Sequence, residues 1–170
     1  MEEFFAEVDE NDTVLAVHSK EKLKEVKFRH RVVLVLPKTD EGKIILGKRA
    51  KEKFPFPGIW CCALGGKVRA NESYEEAVVR EMKEEIGMNL EVEEVAISKL
   101  DLVQEKAIAK IFTTKEGAVL EQFKLDPSEI EYCRSFTVNE ILSLIEKEPN
   151  SFAPTFIRHF KVFAEAWKLK

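Results

Sequence analysis

Three glutamates spaced by one helical turn are the residues of this chain best placed to do chemistry. Glu81, Glu84 and Glu85 stand at positions i, i+3 and i+4, so on a helix their carboxylates project from neighbouring points of one face. Like charges at this spacing repel by roughly 0.2–0.5 kcal/mol per pair, and a divalent cation removes the repulsion. Clustered carboxylates favour Mg²⁺, Mn²⁺ or Ca²⁺ over zinc. The spacing therefore predicts a divalent-metal site.

The residues around the glutamates predict how they are positioned. Ser73 with Glu76 three residues later is a capping box, and Gly87 is a typical left-handed helix end, which together predict a helix over 74–86. The Gly65-Gly66 pair before the helix lets the backbone approach closely enough to offer a carbonyl to a metal or an N–H to a phosphate.

Arg80 and Glu72 offer an ion pair that would brace the loop against this helix. For the glutamates alone, a solvated helix face is the simpler interpretation. The full pattern of glycines, arginine and acids over residues 66–88 is what favours a site, because such a combination of residue types is improbable by chance.

The segment 65–88, GGKVRANESYEEAVVREMKEEIGM, resembles the Nudix box of the Nudix hydrolases at every defining position. A weaker likeness covers His30-Arg31, the loop 56–60 and the ending 150–154, and is similar to the Nudix branch related to type 1 isopentenyl-diphosphate isomerases. The resemblance implies an α/β fold, an α/β/α sandwich around a mixed sheet. It also implies Mg²⁺-dependent hydrolysis, with Mn²⁺ as an alternative cofactor, of a nucleoside diphosphate linked to another moiety.

The resemblance also implies roles for single residues. Glu84 and Glu85 would be metal ligands together with the Gly65 carbonyl, and Glu81 would be a ligand or the general base that activates water. The other motif residues would be structural or bracing: Gly66, Glu72, Arg80 and Gly87. Family members often use one more carboxylate from outside the motif, for which Glu129 is preferred here over Glu131 and Glu121.

The substrate-binding residues are less defined by the sequence. Arg49 is the first choice among the basic residues 48–53, because it directly follows a strand, and Lys67 is a second cation near the motif. A solvated basic loop is the alternative. Trp60 could stack on a base, although core packing is the simpler role for it.

Two other functions remain open. An isomerase would need a catalytic cysteine five positions after Trp60, where this chain has Gly65, and Cys61 and Cys62 stand too early. Because the box is also intact, hydrolysis is favoured. A non-catalytic nucleotide-binding module is the third reading, and His30 is expected to make a structural hydrogen bond at a strand entry.

Composition limits the remaining possibilities. The 170 residues, with 45% hydrophobic and 34% charged residues, fit one domain over 1–170. The net charge of −4 argues against a nucleic-acid partner, and no apolar run reaches the roughly 18 residues of a membrane span. The acidic start does not resemble a signal peptide, and three cysteines without a pairing pattern suggest reduced thiols in the cytoplasm. Homodimers are common in the family, so a homodimer is a further expectation.

The hydrophobic pattern predicts the elements that must hold the site. Strands are expected at 3–8, 13–17, 92–102, 107–113, 118–125 and 129–136, and strands 31–36 and 43–46 are expected to pair as a hairpin. Segment 19–28 is expected to be one helical turn or a loop. Helices are expected at 138–147 and 154–168.

Overall fold

The computed structural model describes residues 2–103 and 105–169. In this part of the chain the strands are β1 (Phe4–Val8), β2 (Val14–Ser19), β3 (His30–Val35), β4 (Ile44–Arg49), β5 (Trp60–Cys62), β6 (Leu64–Lys67), β7 (Val92–Asp101), β8 (Lys106–Thr114) and β9 (Ile130–Phe136). The helices are α1 (Lys20–Glu25), α2 (Tyr74–Ile86), α3 (Val138–Lys147) and α4 (Pro154–Trp167), with short 3-10 turns at Leu120–Gln122 and Pro149–Ser151.

The central sheet has the order β6-β3-β8-β7 and is mixed. Strands β3 and β8 run parallel, whereas β6 and β7 pair antiparallel with their neighbours. Strand β3 is buried on both faces, because Val33 and Val35 point to one cluster of the core and Leu34 to the other. This alternation follows from the two-residue period of a strand and confirms the predicted buried strand.

Helices cover both sides of the sheets. On one side α2 packs Ala77, Val78, Met82 and Ile86 against the β3 valines. On the other side α3 and α4 supply a second cluster, whose aromatic members are Phe156, Phe160 and Phe163. The predicted α/β/α sandwich is confirmed. None of the helices in the described residues is long and apolar enough to cross a membrane.

A second sheet has the order β5-β4-β9 and is antiparallel. The predicted hairpin of residues 31–46 forms only around its turn, where Lys38 pairs antiparallel with Ile44 and the Thr39 N–H donates to the Lys43 carbonyl at 2.8 Å. The predicted pairing of strand 31–36 with strand 43–46 is wrong. The turn at Thr39 forms, but both edges of β3 are already taken by β6 and β8. Pro37 has no N–H to continue a ladder, so the chain leaves the central sheet there and β4 joins β5 and β9.

Two other segments differ from or sharpen the sequence prediction. Residues 118–125 contain a 3-10 turn rather than a strand, because their backbone groups close the end of α2: the Lys124 N–H donates to the Ile86 carbonyl at 2.9 Å. Segment 19–28 contains α1, which Ser19 caps and Leu23 anchors in the core. The predicted helices 74–86 and 138–147 begin and end where expected, and α4 ends one residue early.

Strands β1 and β2 form a separate two-stranded hairpin. Its turn is tied to the rest of the molecule by Asp12, whose carboxylate accepts from Arg31 Nε at 2.7 Å and from the Tyr74 hydroxyl at 3.2 Å. The hairpin is thereby fixed to β3 and to the first turn of α2.

Candidate active site

Helix α2 is held in register at both ends. The Ser73 hydroxyl accepts from the Glu76 N–H at 3.1 Å, and the Glu76 carboxylate accepts from the Ser73 N–H at 2.8 Å. Gly87 ends the helix at φ 66° in the left-handed region, which a glycine adopts without steric cost. These caps fix which face of the helix meets the core.

The three glutamates of α2 lie along the border between its buried face and solvent. Glu81 is buried, and Glu85 is half-buried beside strand β6. The Glu84 side chain is 52% exposed. The helix therefore presents two desolvated carboxylates and one exposed carboxylate on one edge.

The backbone of β6 closes against the two buried carboxylates. The Gly65 N–H donates to Glu85 Oε2 at 3.1 Å. A Cβ on residue 66 would lie 2.0 Å from Glu81 Oε1, so only glycine lets this carboxylate come against the strand. The glycine pair thus defines the floor of a cleft whose wall is α2.

Arg80 binds the loop, the strand and the glutamates together. Its guanidinium donates to both oxygens of Glu72, at 2.7 and 2.9 Å, and to the Lys67 carbonyl at 3.1 Å. Its Nη1 donates to Glu81 at 2.6 Å and to Glu84 at 3.3 Å. Bidentate arginine–carboxylate contacts are strong and directional, and Glu72 and Glu81 raise the pKa of Arg80 further. Arg80 therefore fixes the position of the Glu81 carboxylate.

The two buried carboxylates repel each other. Burial raises the pKa of Glu85 to about 9, the nearby charge of Glu81 adds to the rise, and the Gly65 N–H opposes it. Burial also raises the pKa of Glu81, against the effect of Arg80. A positive charge between them would relieve both the desolvation and the repulsion.

The chemistry of these donors suits a hard divalent cation. Carboxylates and a backbone carbonyl are the ligands that Mg²⁺ and Mn²⁺ prefer. Within residues 2–103 and 105–169, no three acidic, histidine or cysteine side chains are close enough to form a ready metal cage. The exposed Glu84 side chain, now shared with Arg80, would have to turn toward Glu85. The residues fit such an ion by type, and in this structure both Glu81 and Glu84 are held by Arg80.

The family model of the NUDIX domain matches residues 28–160, which include the glycine floor, the helix and its capping residues. The chain belongs to the Nudix family. The predicted family and the predicted class of Nudix-type pyrophosphohydrolase are thereby confirmed.

Nudix relatives match along most of the chain. A prenyl-diphosphate phosphatase of Methanosarcina mazei is 29% identical over 167 residues, covering 94% of this chain and 95% of that protein. An isopentenyl-diphosphate Delta-isomerase of Brevibacterium linens is 24% identical over 128 residues, covering 71% and 69%. The crystal structure of DR0079 from Deinococcus radiodurans has 21% identity and a TM-score of 0.76, covering 86% of this chain and 90% of that one, which shows the shared fold.

Of the carboxylates outside the Nudix box, the structure brings Glu129 near the site. Its charge contributes to the raised pKa of Glu85, and its carboxylate forms an ion pair with Lys53. Glu131 instead pairs with Lys51 at 3.7 Å, and Glu121 lies exposed on a 3-10 turn. Of the three candidates, Glu129 is therefore the one that the structure places near a glutamate of the Nudix box, and its role there stays a prediction.

The three predicted substrate-binding residues, Arg49, Trp60 and Lys67, lie in different surroundings. Arg49 donates to the carbonyls of Phe56 and Pro55 at 3.0 and 2.8 Å, so it holds the loop 50–59. Trp60 packs edge-on against Tyr132 and Phe136, with ring centroids 5.5 and 5.2 Å away. Of the three residues, only Lys67 sits at the Nudix box.

Lys67 of the Nudix box lies near a cluster of polar side chains, those of His30, Glu105 and His159, which the sequence analysis missed. Desolvation lowers the pKa of Lys67, and the charges of Glu105 and Glu81 oppose this. Glu105 lies 3.6 Å from His30 Nε2, and the His30 imidazole helps to lower the pKa of Glu105 against its burial. His159 of α4 is also buried, and the negative charge of Glu105 opposes the lowering of its pKa by burial.

The sequence analysis predicted only part of this polar cluster. His30 was expected to bond at the strand entry, and its Nδ1 does lie 3.3 Å from the Phe28 carbonyl. Glu105 falls between two predicted strands, and His159 lies within the aromatic stripe of α4. Because three separate elements supply these side chains, only the fold brings them together.

Proposed function

We propose that this protein is a cytoplasmic, Mg²⁺-dependent hydrolase that cleaves the diphosphate group of a small organic diphosphate. The observation that carries the proposal is the pair of the buried Glu81 and the half-buried Glu85 against the glycine floor of β6. Two desolvated carboxylates on a helix that Arg80 braces form a site for positive charge next to a backbone that can approach a phosphate.

The Mg²⁺ ion would be held by Glu84, Glu85 and the Gly65 carbonyl, and Mn²⁺ would be an alternative. When bound, such an ion neutralises phosphoryl oxygens and makes water more acidic. The protein side chains then carry the proton transfer.

Glu81 is the proposed proton acceptor. Its carboxylate is buried and held at one oxygen by Arg80 at 2.6 Å, which orients it, and burial raises its pKa toward the range useful for proton transfer at neutral pH. Glu85 is tied to the Gly65 N–H and serves to hold the cation. Glu129 adds a further negative charge beside Glu85.

The proposed substrate class is a prenyl diphosphate, because the phosphatase relative that acts on one aligns over nearly the whole chain. Water would attack the terminal phosphorus, the bond to the bridging oxygen would break, and inorganic phosphate and the organic monophosphate would leave. Lys67, next to Glu81, would contact the phosphate. A nucleoside diphosphate linked to another moiety is the alternative class, for which the same site would act.

An isomerase is disfavoured by the place of Gly65. A Cβ at this position would lie 2.7 Å from the Val33 carbonyl and 3.2 Å from Cys62 Sγ, so the backbone leaves no room for a catalytic cysteine side chain. Isomerisation predicts deuterium exchange into an isoprenoid diphosphate; we expect none.

A substrate panel tests the proposal. Purified protein is incubated with Mg²⁺ and prenyl diphosphates, nucleoside di- and triphosphates, nucleotide sugars and dinucleotides, and phosphate and monophosphate release is measured. We expect turnover that is highest with a prenyl diphosphate. Saturable binding without any turnover across the panel would instead identify a nucleotide-binding module.

The matched variants are Glu85→Gln and Glu75→Gln, which lie on the same helix. Glu85→Gln should lose at least about 100-fold in turnover, as expected for a group that holds a metal, while remaining folded. Glu75 is exposed and pairs only loosely with Lys110, at 3.5 Å, so Glu75→Gln should keep its activity. Equal activity of the two variants would refute the assignment of Glu85.

A further inference from the structure

The adjacent cysteines Cys61 and Cys62 of β5 have their sulfur atoms in contact. The two Sγ atoms lie 3.6 Å apart. Successive side chains of a regular strand point to opposite faces, which ordinarily keeps the sulfurs of neighbouring residues apart. Here β5 is only three residues long, and both side chains pack against the same core cluster, the one that α3 and α4 supply. The two thiols therefore turn toward one side and form a pair.

The geometry of this cysteine pair disfavours a disulfide between its two members. Both cysteines are free thiols, and both residues are half-buried rather than sealed in the core. Consecutive Cα atoms stand about 3.8 Å apart, which is below the usual lower limit of about 4.4 Å for the Cα atoms of a disulfide. The sulfurs would also have to close from 3.6 Å to about 2.05 Å. The pair is therefore available as two thiols.

The spacing of the two sulfurs suits one thiophilic cation. Zn–S bonds of about 2.3 Å at the tetrahedral angle put two ligand sulfurs roughly 3.8 Å apart, close to the 3.6 Å between Cys61 and Cys62. Thiolates select zinc and softer cations, whereas Mg²⁺ prefers oxygen ligands. Two thiols and one Zn²⁺ would give one zinc dithiolate and two protons, which pass to the solvent. Water would complete the coordination, since among the described residues no third acidic, histidine or cysteine side chain joins the pair.

Cys62 lies against the floor of the Nudix cleft. A Cβ on residue 65 would stand 3.2 Å from Cys62 Sγ, so the sulfur is close to the backbone of β6 at Gly65. The N–H of the same glycine donates to Glu85 Oε2 at 3.1 Å. A cation held by Cys62 would therefore act on the backbone that positions Glu85, and a displacement of about 1 Å in such a group can cost 100-fold in rate.

We propose that Cys61 and Cys62 form a binding site for a thiophilic divalent cation of the Zn²⁺ type, and that an ion bound there inhibits the enzyme. The site is separate from the glutamates of α2, because its ligands are sulfur atoms on β5 rather than carboxylates. The bound ion adds no net charge to the cleft, since two thiolates neutralise it, so inhibition arises from displacement of the floor at Gly65. The binding stands by itself, whereas the inhibition rests on the proposed hydrolase function.

Zinc binding in excess MgCl₂, which occupies the carboxylates, tests the site. Wild-type protein should bind one Zn²⁺ per chain, measured by equilibrium dialysis, and release about two protons per ion, measured as the pH change in weak buffer. Cys61→Ala and Cys62→Ala should each bind Zn²⁺ at least about 100-fold more weakly. The matched control is Cys133→Ala, which removes the third half-buried cysteine, on β9, and should bind Zn²⁺ like wild type.

Alkylation of the wild-type thiols decides the question if a variant fails to fold. Zn²⁺ should protect Cys61 and Cys62 from a thiol-alkylating reagent and leave the reactivity of Cys133 unchanged, as read by mass spectrometry. The site is overturned if wild-type protein binds no Zn²⁺, if either Cys61→Ala or Cys62→Ala binds it undiminished, or if Cys133→Ala loses as much affinity as they do.

Hydrolysis of the best substrate of the panel tests the inhibition. With Mg²⁺ in excess, Zn²⁺ should slow phosphate release by wild type and by Cys133→Ala about tenfold or more, each compared with its own rate without Zn²⁺. Cys61→Ala and Cys62→Ala should keep their rates at the same Zn²⁺ concentration. Zn²⁺ bound to the pair without loss of hydrolysis would overturn the inhibition. A protein that binds Zn²⁺ at the pair but hydrolyses no substrate would support the site and overturn the proposed hydrolase function instead.

Discussion

The absence of a side chain at Gly66 determines where the Glu81 carboxylate can lie. Replacement by alanine would put a Cβ 2.0 Å from Glu81 Oε1, so the carboxylate has to move away from the strand. Misplacement of a reacting group by about 1 Å can cost 100-fold in rate. We expect Gly66→Ala to fold and to lose between about tenfold and 100-fold in turnover, measured as phosphate release with the best substrate of the panel.

A double variant shows whether Gly66 acts through Glu81. If it does, Gly66→Ala combined with Glu81→Gln should be no slower than Glu81→Gln alone, because the displaced group is already disabled. Additive losses would mean that Gly66 contributes in another way.

His159 makes folding stability depend on pH. Burial lowers the pKa of His159 to about 4, against the opposing charge of Glu105, whereas an unfolded histidine titrates near 6.5. The unfolded chain therefore binds the proton first, and stability falls as the pH drops from about 6.5 toward 4.

The loss attributable to His159 should reach about 2 kcal/mol between pH 7 and pH 5, measured by urea unfolding. His159→Leu, which has a similar volume, should lack this part of the pH dependence. Parallel pH curves for the two proteins would contradict the assignment.

At this scale the sequence predicted how the residues of the Nudix box lie relative to one another, and it did not predict their contacts with distant segments. The box glutamates, Arg80 and the glycines lie within residues 65–88, so spacing and helical period place them relative to one another. Arg49 was expected to hold phosphate, which stays a prediction, and the sequence did not predict that it contacts the Pro55 and Phe56 carbonyls. Spacing along the chain cannot reveal that the following loop folds back onto the guanidinium.

At the scale of elements, the two capping boxes are a matched pair. Ser73 begins α2 and Thr137 begins α3, and each hydroxyl accepts from the N–H three residues later, at 3.1 and 3.2 Å. Ser73→Ala and Thr137→Ala should each reduce the free energy of unfolding by about 1 kcal/mol. For a domain of this size, this lowers Tm by about 2–4 °C.

Hydrogen exchange separates the two helices. Ser73→Ala should speed exchange only in the first turn of α2, and Thr137→Ala only in the first turn of α3, since each cap satisfies local donors. Faster exchange of both helices in either variant would show that the caps are coupled through the core.

Helices and strands were predictable from the sequence where interactions between neighbouring residues determine them. Helices 74–86 and 138–147 carry their start signals in sequence, and the alternating or apolar strands were found. The hairpin 31–46 forms only next to its turn. Strand 31–36 does not pair with 43–46 because β6 and β8 pair with both edges of β3, which no local sequence pattern shows. The strand predicted at 118–125 does not form, because the Phe123 N–H donates within the segment to Leu120 and the Lys124 N–H donates to Ile86 at the end of α2.

For the whole molecule, the proposed cation should stabilise the fold. An ion that binds only the folded chain adds about 2.7 kcal/mol at 100 times its Kd. In a domain of this size, this raises Tm by about 5–10 °C. We expect this rise with MgCl₂ but not with NaCl of equal ionic strength, measured by thermal unfolding.

Glu85→Gln should abolish the Mg²⁺-dependent rise in Tm, whereas Glu75→Gln should retain it. A rise of the same size in both variants would place the cation elsewhere. The layered architecture itself was predictable from the Nudix box, and the strands of the hairpin β1–β2 were predicted from the local pattern. The division of the other strands into two sheets was not predicted, since it depends on contacts between distant segments.

The parallel pairing of β3 with β8 has a consequence for the order of folding. Pairing His30 with Ala107 and Val35 with Phe112 joins segments more than 70 positions apart, and the whole of α2 lies inside the loop that this closes. Closing so long a loop costs chain entropy before any contact repays it, and such non-local strand pairs form slowly. Helix α2, capped locally at both ends, can form early, but the surface on which it docks exists only after this closure. We therefore expect the cleft to be among the last parts of the molecule to assemble, so a refolding chain would regain helical signal before it regains hydrolysis.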